Sequence, residues 1–209
     1  MRRFGATLAL ALVIMCPFRL ACAVEQAAYE VVETVGNVEI RRYEEGVLAE
    51  VSVMASRDEA TSKAFRVLFD YIGGENAGEQ EISMTAPVVQ RPAAPAPNGL
   101  DAVELADARS WEVAFFLPAD YGLAQTPAPA DERVRLTRFE GGRLAALRFS
   151  GFWSNDNFAK HTRELRGVLA EAGLSIAAGP IFAYYDPPFM PWFLRRNEVL
   201  FVLETTSEP

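Results

Sequence analysis

From Tyr29 to Val35 the chain reads YEVVETV, and from Val38 to Tyr43 it reads VEIRRY, two β-forming runs separated by Gly36-Asn37. A Gly-Asn pair between such runs predicts a β-hairpin. GVLAEVSV (46–53) predicts another strand. Ser56, with Glu59 three residues on, predicts a capping box that starts a helix running to Ile72. Gly73-Gly74 then ends it, because glycine takes the left-handed conformation that closes a helix. Along this helix Phe65, Leu68, Phe69 and Ile72 fall at i, i+3, i+4 and i+7, one apolar stripe. Ala60, Ala64, Val67 and Tyr71 draw a second stripe beside it, broader cover than one face of a sheet requires. ISMTAPVVQ (82–90) and WEVAFFLP (111–118) predict strands, and the Pro/Ala-rich stretch between them, with no apolar period, predicts a loop.

The order then returns. VRLTRFE (134–140) and GRLAALRFSG (142–151) predict a hairpin across Gly141-Gly142, followed by a helix from about Asn155 to Ala172 that ends at Gly173. IFAYY (181–185) and EVLFVLE (198–204) predict the last strands. Strand, strand, helix, strand, strand thus occurs twice, over about 29–118 and 133–204, with 118–132 as the joint. Such a pattern predicts one pseudo-symmetric α+β domain built by duplication, its halves sharing a sheet or barrel with the helices outside.

The start of the chain has another purpose. Arg2 and Arg3 precede an apolar run from Phe4 to Met15, then Pro17 and the small-residue stretch Ala21-Cys22-Ala23. This is the form of a secretory signal peptide spanning 1–23, so the protein is expected to be exported, to the periplasm or outside the cell. The run is too short for the roughly 20 apolar residues of a spanning helix, so no stable membrane insertion is expected after cleavage. Cys22 follows Arg19-Leu20-Ala21, with arginine where a lipobox takes an aliphatic residue. Removing 1–23 takes away three arginines and no acid, moving the net charge from −8 to −11. An acidic chain repels phosphate backbones, which argues against a nucleic-acid partner. Both cysteines, Cys16 and Cys22, leave with the segment, so neither disulfide nor thiolate chemistry is expected.

The chemical motifs are few. No nucleophile elbow, phosphate-binding loop or dinucleotide fingerprint occurs. His161, the sole histidine, lies on the apolar stripe of the second helix with Phe158 and Leu165. It is either a hydrogen-bonded residue at the core edge or an axial ligand to haem iron. The stretch YYDPPFMPWFLRRNE (184–198) is the most unusual: its prolines forbid a helix, and Phe189, Met190, Trp192 and Phe193 are either packed down or exposed for binding. Arg195 and Arg196 pair either with a ligand's carboxylates or with Asp186 and Glu198.

GVLAEV (46–51), AF-x-x-LFDYIGGEN (64–76), ISMTAPV (82–88), WEVAFFLP (111–118) and YDPPFMPWFLRRNE (185–198) together resemble the SOUL haem-binding proteins, in the family's order and over nearly all of 24–209. The resemblance implies a distorted β-barrel from a duplicated β-α-β-β unit flanked by two helices, related to the effector-binding domains of gyrase-inhibitor-like proteins. It implies non-covalent binding of haem or another tetrapyrrole, a small hydrophobic ligand, on a patch that maps to Phe65, Leu68 and Phe69. The apolar loop (Met190, Trp192, Phe193) and the guanidinium groups of Arg195 and Arg196 are the added candidates. The leading expectation is therefore a non-catalytic carrier or buffer. Two others stand beside it: a small-molecule hydrolase of gyrase-inhibitor-like type with Glu198 as general base near Tyr184 or Tyr185, and a ligandless protein-interaction module. Oligomeric state does not follow from the residues.

Overall fold

In the computed structural model the described residues are 24–94 and 108–205. The segment 1–23, expected to be a signal peptide, and part of the Pro/Ala-rich loop lie outside them.

The described residues begin with two strands, β1 (Glu25–Gln26) and β2 (Tyr29–Val35), followed by β3 (Val38–Tyr43), β4 (Gly46–Met54) and helix α1 (Arg57–Ile72). Then come β5 (Thr85–Ala86), β6 (Val88–Pro92), β7 (Ser110–Phe116), β8 (Val134–Phe139), β9 (Gly142–Phe149), helix α2 (Asn155–Glu171), β10 (Ile176–Tyr184) and β11 (Asn197–Leu203). Nine strands form one antiparallel sheet in the order β2-β3-β9-β11-β10-β6-β7-β4-β8, and β1 pairs with β5 in parallel. The class is α+β, with two α-helices and one short 3-10 helix (Trp192–Leu194) among the described residues.

Helix α1 packs on β4 and β7, and α2 on β9, β11 and β10. Side chains alternate along a strand. Val47, Ala49 and Val51 of β4, Val113 and Phe115 of β7, Leu147 and Phe149 of β9 and Val199 and Phe201 of β11 therefore meet the helices. The intervening positions, Leu144, Ala146, Ala183 and Leu200, are buried as well, against Tyr43 on the other face. Burial on both faces explains why RLAALRF and EVLFVL read as almost unbroken apolar runs.

The hairpin at Gly36-Asn37 forms as its residues predict, with Gly36 at φ +61° and Val35 opposite Val38. The second predicted hairpin does not. VRLTRF pairs with β4, and GRLAALRF pairs with β3 and β11, so the strands on either side of Gly141-Gly142 are not neighbours. Each leading strand instead joins the other half: β3 lies against β9, and β8 against β4. The two crossing connections touch. Gly141 sits at φ +69° where a Cβ would come 2.5 Å from the Tyr43 carbonyl oxygen.

Closure differs from a barrel as well. Among the described residues strands β2 and β8 each have a single partner, so the hydrogen-bonded order stays open. The sheet nevertheless curls, and the rings of Tyr43 on β3 and Phe139 on β8 lie 6.2 Å apart. Within ISMTAPVVQ, Pro87 has no N–H to give a ladder, and the predicted strand is divided into β5 and β6. Ser56 is the N-cap of α1 but its side chain makes no capping bond, so the predicted capping box is absent. Gly73 keeps a helical conformation, and Gly74, at φ +114°, makes the reversal.

Candidate functional site

Helix α1 presents three kinds of position. Ala60, Ala64, Leu68, Tyr71 and Ile72 are buried against the sheet. Thr61, Phe65 and Phe69, one turn apart, face an open groove instead. The polar remainder faces solvent, apart from the buried Arg57 and the groove-lining Ser62. The predicted stripe is thus split lengthwise. Leu68 is fully buried while Phe69 keeps 53% of its surface, so Leu68 supports the groove from behind and is not itself a contact surface.

The groove has a volume of about 490 Å³, within the roughly 300–1,000 Å³ of small-molecule sites. The rings of Phe65 and Phe69 stack at 5.9 Å with 15° between planes, and Phe65 rests edge-on against Phe115 below. Met84, Ala86, Val88 and Trp153 contribute to the lining, together with Tyr184, Tyr185, Asp186, Pro187 and Pro188. Two parallel phenyl faces and a pair of prolines make a lining suited to a flat apolar molecule.

Behind the lining lies a buried polar network. The Arg57 guanidinium donates to the Tyr184 hydroxyl (2.8 Å), to the Asn155 side chain (2.8 Å) and to the Trp153 carbonyl (2.5 Å). Tyr184 in turn donates to Gln90 Oε1 at 2.8 Å, and Gln90 donates to the Arg57 carbonyl. Burial raises the Tyr184 phenol's pKa above its ordinary value, though Arg57 offsets part of this. Arg57 therefore ties the start of α1 to α2 and β10, an anchor that no spacing in the sequence announces. Asn76 does the same for the YIGGEN loop: its amide donates to the carbonyls of Tyr71 and Gln80 and accepts from the Gln80 N–H.

Glu198 is fully buried at the start of β11. Arg41 of β3 donates to it at 2.6 and 3.0 Å, Arg196 at 2.9 and 3.0 Å, and the Tyr185 hydroxyl at 2.9 Å. Burial by itself would raise its pKa, but hydrogen bonds and charges from the two arginines outweigh that and hold the carboxyl below its ordinary value. A carboxylate so engaged orders its neighbours; its lone pairs are occupied by donors. Burial, followed by the charge of Glu198, pushes the Tyr185 phenol far up.

The candidates in 184–198 divide. Arg196 lies over the Tyr185 ring at 3.7 Å and its main-chain N–H donates to Asp186 Oδ2 at 2.6 Å. Arg195 donates to the carbonyls of Met190 and Pro188 and lies over the Trp153 ring at 4.5 Å. Both guanidinium groups are thus held by the chain itself. The arginines and Met190, Trp192 and Phe193 stand outside the groove lining, whereas Tyr185, Asp186, Pro187 and Pro188 belong to it. His161 is also elsewhere, on α2, its ring stacked on Phe149 at 4.0 Å and its Nδ1 2.7 Å from the Asn157 carbonyl oxygen. Met84, Tyr185 and the two prolines are lining residues that the residue-by-residue reading missed; the MTAPV and YDPP stretches were its available signal.

The family model "SOUL heme-binding protein" matches residues 24–202. The chain belongs to the SOUL family. Heme-binding protein 1 of Mus musculus is 30% identical over 187 residues, covering 86% of this chain and 93% of the mouse protein. Heme-binding protein 1 of Xenopus tropicalis is 29% identical, covering 78% and 82%. Among solved structures, the EcmrR C-terminal domain superposes with a TM-score of 0.61 at 11% identity, over 85% of this chain and 99% of that one. A hydrolase from Listeria innocua gives 0.53 at 14%, over 83% and 94%. Identities this low relate folds and nothing further.

Proposed function

We propose that this SOUL-family chain binds haem or a related tetrapyrrole non-covalently in the groove between α1 and the 184–188 segment, without catalysing a reaction on it. The observation that carries the reading is the parallel Phe65–Phe69 pair, set with Pro187 and Pro188 in the lining of an apolar groove. The names of the mouse and frog relatives point the same way.

A macrocycle there is held by its faces, through dispersion and removal of apolar surface from water. The described lining offers iron a thioether from Met84, the hydroxyls of Thr61 and Ser62, and Asp186. Tyr185, the strongest oxygen donor among them in other settings, is committed to Glu198. A haem held here would gain little from these side chains as iron ligands, and its release would be easy, as a carrier or buffer requires.

The same reading takes the chain as exported by its first 23 residues and acting in the periplasm or outside the cell. It also takes the curled sheet as an incompletely closed barrel that arose by duplication and is akin to gyrase-inhibitor-like domains. The hydrolase alternative is not adopted, because Glu198 has five hydrogen bonds from Arg41, Arg196 and Tyr185 and no free role as a base.

The test is a hemin titration of the chain from Val24, followed by absorbance. Saturable binding is expected. Unchanged affinity in Phe69→Asp would remove the proposed site.

A further inference from the structure

Strand β1 is only two residues long, and both of them, Glu25 and Gln26, are exposed. It buries no apolar surface, and a chain segment of that kind frays unless it is tied down. Polar contacts tie this one. Glu25 and Gln26 pair with Thr85 and Ala86 of β5, and the Ala27 N–H donates to the Ala86 carbonyl at 3.1 Å. The Glu25 carboxylate accepts the Ala119 N–H at 2.8 Å, and Gln26 Oε1 accepts from the Arg196 guanidinium at 3.2 Å. These contacts set the preceding residue, Val24, in the lining of the groove together with Thr85 and Ala86, half-exposed at its mouth.

The groove lacks one group that its proposed ligand calls for. Haem carries propionates, and a carboxylate drawn against apolar walls needs a cation or donors in place of water. Among the described lining residues there is one carboxyl side chain, Asp186, and no lysine, arginine or histidine. Val24 is also the first residue after the expected cleavage site. In the uncut chain its nitrogen is a neutral amide. Hydrolysis of the Ala23–Val24 bond consumes one water, leaves a carboxylate on Ala23 and frees the α-amine of Val24. The ordinary pKa of such an amine is about 7.7–8.0, so at neutral pH it is mostly an ammonium.

We propose that the α-ammonium of Val24, created by removal of residues 1–23, is the cation of the groove and pairs with a carboxylate of the bound ligand. The site then takes flat apolar molecules that carry acid groups at their rim, and it is complete only after processing. A chain still holding residues 1–23 has the aromatic wall but not the charge. The carboxylates at hand each already accept a main-chain N–H: Glu25 that of Ala119, and Asp186 that of Arg196 at 2.6 Å. Because β1 holds Val24 in place beforehand, little chain freedom is lost when the ligand arrives. The proposal rests on the groove and export readings given above, and its test separates it from them.

The full chain is expressed with residues 1–23 and recovered from the periplasm of a bacterial host, where its intact mass is expected to correspond to a start at Val24. Retention of 1–23, or any other start, overturns the proposal. One portion is then acetylated at about pH 6.5, where the α-amine reacts ahead of lysine because its pKa is lower. Both forms are titrated at low salt with hemin and with hemin dimethyl ester, whose acid groups are masked, and followed by absorbance. Acetylation is expected to weaken hemin binding about two- to fivefold, the scale of a half-exposed ion pair, and to leave binding of the ester unchanged. Equal loss for both ligands would mean that the acetyl group obstructs the groove, and equal hemin affinity in the two forms would mean that the ammonium is paired within the protein, as with Asp186. Either result overturns the proposal while the groove reading stands. Failure of both forms to bind either ligand removes the groove reading, and this proposal with it.

Discussion

Arg41 on β3 and Glu198 on β11 form a two-pronged ion pair, 2.6 and 3.0 Å, across β9, which lies between their strands. Both side chains are almost wholly buried. The pair fastens a strand from early in the chain to the last strand, and through Arg196 and Tyr185 it also fixes one end of the groove. Truncating one partner strands the other charge in the interior, so Arg41→Ala and Glu198→Ala should each cost about 3–5 kcal/mol in urea unfolding. The double variant should cost less than the sum. Strict additivity would mean that the pair does not couple.

The same carboxylate sets a pH dependence. Its folded-state pKa lies below its ordinary value, so the unfolded chain takes up a proton first as the pH falls. The stability contributed by Glu198 is complete above the ordinary carboxylate range, and it is lost as the pH drops through the folded value. Unfolding midpoints measured from neutral to acidic pH should therefore fall less steeply in Glu198→Gln than in the wild type. Parallel curves would show that Glu198 titrates alike in both states.

These two predictions rest on a residue with one arginine partner visible in the sequence, Arg196, and a second, Arg41, that was not. RRNE placed Arg196 beside Glu198, two positions apart on the page. Arg41, 157 positions away, arrives only through the pairing of β3 with β9. Local period and turn chemistry revealed the helices, most strands and the Gly36-Asn37 hairpin, because these depend on neighbours in sequence. They misread Gly141-Gly142 for the same reason. A glycine pair between two β-runs looks alike whether the chain folds back or crosses over, and the difference lies in which distant strand each run finds. The groove was half legible. Helical spacing grouped Phe65, Leu68 and Phe69, but only the position of the sheet decides that Leu68 turns inward and Phe69 outward.

That division yields a paired test. Leu68→Ala removes packing from the core and should cost about 2–5 kcal/mol of stability. Phe69→Asp alters an exposed position and should change stability little, while abolishing saturable hemin binding. Unfolding curves and hemin titrations on both variants separate the roles. A Leu68 variant as stable as the wild type would place that side chain at the surface after all.

His161 provides the contrast on the second helix. Its ring is packed on Phe149 and its Nδ1 is engaged with the Asn157 carbonyl, away from the groove lining. His161→Ala should therefore leave hemin affinity and the bound-state absorption spectrum unchanged. Loss of binding in this variant would make His161 the iron ligand and move the site to α2.

The final prediction concerns the crossing of the two halves. At φ +69° Gly141 occupies a conformation that costs an L-residue energy, and a Cβ there would stand 2.5 Å from the Tyr43 carbonyl oxygen and 2.9 Å from the Glu44 carbonyl carbon. Neither neighbour is a flexible side-chain tip; both are backbone in the β3–β4 connection. Gly142, at φ +113°, has open space around its Cβ position, so there only the conformational cost applies. Gly141→Ala should thus destabilise by more than the roughly 1 kcal/mol expected for strain in φ alone, and by more than Gly142→Ala. Urea unfolding of the two variants side by side measures the difference. Equal losses would mean that the two connections are not in contact, and that the sheet curls for another reason than the crossing of its leading strands.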